Sequence, residues 1–397
     1  MTPDAVTPTF DPGLGGLIPE LRWRGMFHAA SDGLEARLAT GTQITAYNGF
    51  DPSGKSSERN LLSREQLAAN VASMRPQLER FLDFSGPSAA AMANNFDWLE
   101  PIRLLDFLRD VGKHFTIPYM LAKDSVQVRL DAGLSFTEFS YMLIQATDFQ
   151  HLHRTAGCEL QMGGADQWGN ITAGLELIRR TSDQRPDGAP NAYAMAYPLL
   201  LNPSGAKFGK SETGDSIWLH PDGTSPYAFY QHWLNTDDRD VPTYLRWFTL
   251  FDPARITELE VAIADHPERR EAQRALALDL TTRVHGADVA ARAVAASEAA
   301  FSGSPLVDPA ILETLHRGAD GFSFSAADVA EGVVGFLVAS GTSSSKGEAR
   351  RSIAGGAITI NDRRMTEADS ALPEPIVGEW YVLRIGKRRV RVGRRSS

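Results

Sequence analysis

Residues 136–170 read FTEFSYMLIQATDFQHLHRTAGCELQMGGADQWGN, and the changes of period inside this stretch set the fold class. Over 136–149 the apolar residues Phe139, Met142, Leu143, Ala146 and Phe149 recur at helical spacing, so that face packs on a sheet. The opposite face carries Glu138, Tyr141, Gln145 and Asp148 at i, i+3, i+7 and i+10. A short strand is predicted at 159–162; Gly163 and Gly164 follow it, and a second helix runs near 171–180. Helix, strand and helix in succession belong to a layered α/β domain.

Working outward, 44–50 reads as a buried strand. Residues 66–82 read as a helix whose stripe is Leu67, Val71, Met74, Leu78 and Phe81. Residues 183–190 form a Pro, Gly and Asp loop, and a strand at 197–201 enters the polar segment 202–214. From 226 to about 315 the pattern is helical, with Gly286 a C-cap after 276–285. A Gly, Asp and Ser linker at 318–326 precedes a helix at 327–339 and a capping box, Ser345 with Glu348. A strand at 357–360, a turn at Asn361 and Asp362, and strands at 380–385 and 390–392 complete the chain. The organisation expected is a Rossmann-like parallel-sheet domain over 1–225, a helical domain over 226–320 and a small α+β domain over 327–397.

The chain has 397 residues and a net charge of −9, which argues against a nonspecific nucleic-acid coat protein. Residues 331–397 hold 12 Lys and Arg against seven acids, so a basic, polyanion-facing module follows an acidic body. The single cysteine, Cys158, suits a reducing cytoplasm. No basic start with an apolar run opens the chain and no window approaches 18 apolar residues, so neither a signal peptide nor a membrane span is expected.

Residue types alone leave the chemistry open. Residues 49–56, GFDPSGKS, fit the phosphate-loop pattern, yet Pro52 removes one of the N–H donors of such a nest; a phosphate-loop NTPase is one reading and a chance match another. The polar face of 136–149 is either solvated surface or a pocket wall whose acceptors suit an ammonium group and a phenol hydroxyl. Asp166, Gln167 and Asn170 around Trp168 are either a capped turn or ligand contacts at a sheet's carboxyl edge. Lys207 and Lys210, beside Ser211 in a loop of small residues, are either exposed or able to reach one polyphosphate together. Of the nine histidines, only His151 and His153 are close, and their spacing makes a poor metal site. No nucleophile elbow appears, so neither a covalent intermediate nor a structural metal is expected.

Taken in order, these segments resemble one family, the bacterial tyrosyl-tRNA synthetases of class I. The likeness is carried by Leu21 to Gly25, Tyr47 to Phe50, DPSGKSSERN at 51–60, Asn94 to Trp98, FLRDVGKHF at 107–115, residues 136–149, residues 163–170, KFGKS at 207–211 and NTDDRD at 235–240. The resemblance implies that Tyr47 and Asp148 hold the phenolic hydroxyl of tyrosine. Tyr141, Gln145 and Asp51 would hold its ammonium, Gln167 would lie near the carboxylate and Asp166 on the adenosine ribose. Lys207 and Lys210, with Ser211, would meet the departing pyrophosphate, and Lys55 and Arg59 would add charge to the ATP site. ATP enters as substrate with Mg2+; tRNA(Tyr) and tyrosine are the partners, the assembly a cytoplasmic homodimer. The tail resembles a small RNA-binding domain, whose contacts would be Lys346, Arg350, Arg351, Lys387, Arg388 and Arg389.

The chain departs from that family in one respect. Family members continue from the first core strand through a His-x-Gly-His helix start, a second core strand and a glycine-rich loop. Here Phe50 abuts Asp51, no histidine heads a His-x-Gly-His, and about 40 residues of the nucleotide-binding layer are missing. That loss predicts unpaired backbone groups and an open core face, and it puts adenylate formation in question. A paralogue that binds RNA or tyrosine without making adenylate is therefore the alternative to an active ligase.

Overall fold

The computed structural model describes residues 16–49, 63–123, 126–127, 130, 133–182, 191–201, 217–302, 304–386 and 389–396, and the chain divides into two units. The first, Val6–Arg75 with Asp83–Phe208, is organised by a four-stranded sheet. Its strands are β1 (Ala29–Ala30), β2 (Thr45–Asn48), β3 (Cys158–Gly164) and β4 (Tyr193–Tyr197), in the order β1-β4-β3-β2. β2, β3 and β4 are parallel, whereas β1 is antiparallel to β4. β3 is central and nearly continuously buried, as a parallel strand covered on both faces must be.

One face of the sheet packs Leu160 and Met195 on Ile18 and Leu34. Against the other lie the helices Phe136–Ala156 and Trp168–Thr181, through Phe149, Cys158 and Ile178. Their outer contacts join Met142, Leu143, Ala146, Ala173 and Leu177 to Val111, Phe115 and Met120. The Ser135 hydroxyl accepts from the Glu138 N–H at 3.3 Å, and Gly157 at φ 61° ends the helix. This helix runs seven residues past the expected 149, because Leu152 continues the apolar stripe onto Phe149 and Cys158.

Three expectations need correction here. β2 is present, but three of its four residues are exposed rather than buried, because it is the outermost strand. The helix Arg64–Leu78 has no buried residue, and Leu67, Val71 and Phe81 are 50%, 42% and 47% exposed. Among the described residues nothing extends the sheet beyond β2, so the stripe finds no floor. The strand expected at 197–201 lies at Tyr193–Tyr197 instead, since Pro198 has no N–H to continue the ladder.

The second unit includes Gly209–Ser397 and Pro76–Leu82. Its helices are Pro226–Leu234, Val241–Phe248, Pro253–Asp265, Glu271–His285, Ala287–Phe301 and Pro309–Gly318. Ser225, Asp252 and Asp308 cap three of them, and Gly286 at φ 89° closes Glu271–His285. A five-stranded sheet follows: β5 (Phe322–Phe324), β6 (Ile358–Ile360), β7 (Arg363–Arg364), β8 (Trp380–Ile385) and β9 (Arg389–Arg395), ordered β5-β9-β8-β6-β7. β5 lies in the stretch read as linker, and pairs parallel with β9. On one face Tyr381, Leu383, Ile358 and Ile360 pack with Phe336, Leu337 and Ile353; on the other Trp380, Val382 and Val392 meet Ala296, Ala300, Leu312 and Leu315.

The helix expected at 327–339 is two, Ala326–Ala330 and Gly332–Ala339, because Gly332 turns the backbone to φ 71°. Ser345 caps its helix as expected, but the Glu348 carboxylate accepts from the Ser344 N–H and hydroxyl instead of from Ser345. The reciprocal capping box is Ser325 with Asp328. Among the described residues no helix is long and apolar enough to cross a membrane.

Candidate active site

The three parallel strands end on one edge, Gly164 level with Tyr197 and Asn48 level with Met162, and the Asn48 amide donates to the Tyr197 hydroxyl at 3.4 Å. This is the carboxyl edge, where ligands of open α/β sheets sit. The 3-10 turn Ala165–Gln167 leaves β3 directly and sets Asp166 and Gln167 on that edge. At Gly164 a Cβ would stand 2.7 Å from Asp166 Oδ1 and 3.0 Å from Leu199 Cδ2, so those side chains would have to shift. At Gly163 it would crowd Ile171 at 3.1 Å and Gln167 at 3.2 Å. Gln167 Oε1 accepts from Asn170 Nδ2 at 3.1 Å, which orients its amide.

Tyr47 belongs to β2, and Asp148 lies near enough for its charge to act on the Tyr47 hydroxyl. The Tyr47 ring lies 5.6 Å from that of Phe149, and its hydroxyl is buried with no hydrogen-bond partner among the described residues. An orphaned buried hydroxyl costs about 1–3 kcal/mol, which a ligand can recover. Burial, and then the Asp148 charge, push the Tyr47 hydroxyl pKa well up, so it is a neutral donor. Asp148 accepts from Trp98 Nε1 on Oδ1 at 2.9 Å and from Asn95 Nδ2 on Oδ2 at 3.1 Å. Burial raises its pKa above the ordinary carboxylate range, while those two donors, Trp98 first, pull the other way. The carboxylate is thus held in place with lone pairs left for a further donor.

Glu138, Tyr141 and Gln145 share the polar face of the same helix, each partly exposed. Asp51, Lys55, Arg59, Lys207, Lys210 and Ser211 lie outside the described residues, as do Lys387 and Arg388. Of the other basic candidates, Arg350 and Arg351 are exposed on the helix Lys346–Ala354. Lys346 pairs with Glu331 at 3.3 Å and Arg389 with Asp320 at 2.6 Å. Among the described residues no group of three His, Cys, Asp or Glu is placed to hold a metal. Sequence reasoning noted the segment containing Asn95 and Trp98 without assigning either a role; a contact 50 positions away along the chain leaves no local signal.

The model for class I tRNA synthetases (W and Y) matches residues 6–302, and that for the tyrosine–tRNA ligase SYY-like C-terminal domain matches 315–391. A tyrosine–tRNA ligase of Roseiflexus castenholzii is 44% identical over 435 positions, covering 94% of this chain and 97% of that protein. One from Geobacillus stearothermophilus is 41% identical over 419 positions, with 94% and 98% covered. Both alignments are longer than the 397-residue chain, so these relatives carry stretches it lacks. Among solved structures, a C-terminally truncated mitochondrial tyrosyl-tRNA synthetase of Aspergillus nidulans superposes with a TM-score of 0.59 at 26% identity, over 72% of this chain and 94% of that one.

Proposed function

The chain belongs to the tyrosine–tRNA ligases of class I, and from that premise we propose how its residues divide the work. The function is activation of tyrosine with ATP to tyrosyl-adenylate, followed by transfer to tRNA(Tyr). Neither step needs an enzyme nucleophile: the tyrosine carboxylate attacks the α-phosphorus, and a tRNA 3′-terminal hydroxyl then attacks the adenylate. Catalysis is therefore positioning and charge stabilisation.

Tyr47 and Asp148 take the phenol hydroxyl; Tyr141, Gln145 and Asp51 take the ammonium. Gln167 lies by the carboxylate and Asp166 by the ribose. Lys207, Lys210 and Ser211, with Lys55 and Arg59, neutralise the phosphates, and Mg2+ accompanies ATP. Residues 1–225 form the catalytic domain, 226–320 the anticodon-binding helices and 327–397 the RNA-binding domain, with Lys346, Arg350, Arg351, Lys387, Arg388 and Arg389 on phosphates. The protein works in the cytoplasm as a homodimer, the dimer being supported by Leu104 and Leu105, 70% and 78% exposed on the helix that also carries the exposed Leu108.

The observation that carries this reading is the orphaned Tyr47 hydroxyl, which feels the charge of a carboxylate already pinned by two donors. A substrate lacking the hydroxyl leaves these groups unpaired, and such pairing discriminates by roughly 10^4 to 10^5. The exposed β2 and the unburied Arg64–Leu78 helix favour a second reading, in which the absent block lies between Phe50 and Asp51 and adenylate formation is impaired. Tyrosine-dependent ATP–pyrophosphate exchange separates the two. Exchange by the purified chain establishes the ligase; tyrosine binding without exchange establishes the paralogue, and tyrosine-independent ATP hydrolysis would favour a phosphate-loop enzyme.

A further inference from the structure

Trp98 belongs to the four-residue helix Phe96–Leu99, which has no fully buried residue. Trp98 itself is partly buried, and its indole N–H carries one of the two hydrogen bonds on Asp148. A second contact with the long helix adds to its confinement: the Trp98 and His151 rings stack at 4.5 Å between centroids and 10° between planes. His151 lies three residues after Asp148, one turn along the same helix face, so the indole lies flat on one side chain while donating to the other.

We propose that His151 is a positioning residue for tyrosine selection: its imidazole holds the Trp98 indole so that Nε1–H stays on Asp148 Oδ1, leaving the remaining carboxylate lone pairs for the substrate's phenol. The inference rests on reading Asp148 as the acceptor of that hydroxyl. In this role His151 acts through Trp98 and not on the substrate. Any flat ring at this position would serve as well, which distinguishes holding the indole from an acid, base or ligand role. Without the ring, Trp98 swings, and Asp148 spends part of its time held by Asn95 alone, its Oδ1 no longer fixed.

The test uses the full-length chain with His151→Ala and His151→Phe, and two readouts. One is hydrogen exchange of the Trp98 indole proton by NMR, its resonance identified by its loss in Trp98→Phe. The other is the ratio of tyrosine to phenylalanine affinity by calorimetry. Aromatic stacks of this kind contribute enough for changes of roughly 2- to 10-fold. His151→Ala is expected to speed indole exchange and to lower the ratio by that factor, and His151→Phe to restore both. Indole exchange unchanged in His151→Ala, or a loss that His151→Phe does not rescue, overturns the proposal. If the parent chain itself shows no preference for tyrosine, the reading of Asp148 fails, and indole exchange alone still decides whether His151 holds Trp98.

Discussion

Replacing Asp148 tests the site most directly. In the structure its two oxygens accept from Trp98 and Asn95 at 2.9 and 3.1 Å. A charge-assisted hydrogen bond to the substrate phenol adds about 1.5–3 kcal/mol, so Asp148→Ala should cost tyrosine roughly 10- to 150-fold in affinity. Phenylalanine, which never donated to it, should be unaffected. The same change strips Trp98 Nε1–H of its acceptor; because Trp98 is only partly buried, the stability loss should sit near the lower end of the ~1–3 kcal/mol range. Asp148→Asn is the control. Its one oxygen serves Trp98, and Asn95 can turn its amide to offer an oxygen, so stability should hold while tyrosine affinity drops roughly 5- to 10-fold through loss of charge. Calorimetry with both amino acids measures the ratio, and thermal melts report the fold. An unchanged tyrosine-to-phenylalanine ratio in a folded Asp148→Ala protein would refute the reasoning. The sign with pH follows as well: burial raises this carboxyl's folded pKa, so tyrosine affinity should weaken on acidification before ordinary aspartates protonate. The group's own contribution to stability is fully present below the unfolded aspartate value and is lost as pH rises through the raised folded one.

Four other outcomes are expected. Gly164→Ala should force Asp166 aside and weaken nucleotide binding with little change in circular dichroism, since its Cβ would stand 2.7 Å from Asp166 Oδ1. His285, its Nε2 buried with no hydrogen-bond partner among the described residues, has a pKa pulled down to about 4, first by burial and then by the Arg80 charge. Stability should therefore fall as pH drops from 6.5 toward 4, and His285→Leu should flatten that limb in urea titrations across the range. Trp380→Ala should cost about 3–5 kcal/mol, read from urea unfolding of the second unit, because this 3% exposed ring joins the five-stranded sheet to the helices behind it. Reversing Arg350 and Arg351 to Glu should weaken tRNA retention on filters and flatten its logarithmic salt dependence by roughly 0.7–0.9 for each phosphate no longer neutralised.

What was legible in the chain is what short-range physics decides. The polar face from Glu138 to Asp148 follows from a 3.6-residue period, β8 was expected at its observed bounds, and Asn361 and Asp362 adopt the left-handed turn their side chains favour, at φ 45° and 63°. Burial of 44–50 was not legible, because β-branched and aromatic composition records a preference for covering and says nothing about whether a neighbour is there. The stripe Leu67, Val71, Met74 and Leu78 misled in the same way. The donors on Asp148 escaped because a single amide and a single indole have no periodicity, and tertiary proximity alone makes them partners. At Gly332 and Glu348 local choices compete within a kilocalorie or so: the glycine took φ 71°, and the Glu348 carboxylate took the Ser344 donors.

The side of Thr45–Asn48 that no strand among the described residues covers bears on the protein's behaviour in bulk. A row of outward amides and carbonyls is a ready template for any extended polypeptide, including a half-made copy of the same chain. Losses during refolding should then scale with the square of concentration, and a lysine at Ala46, whose side chain is already exposed, should act as a gatekeeper that raises yield without touching the pocket.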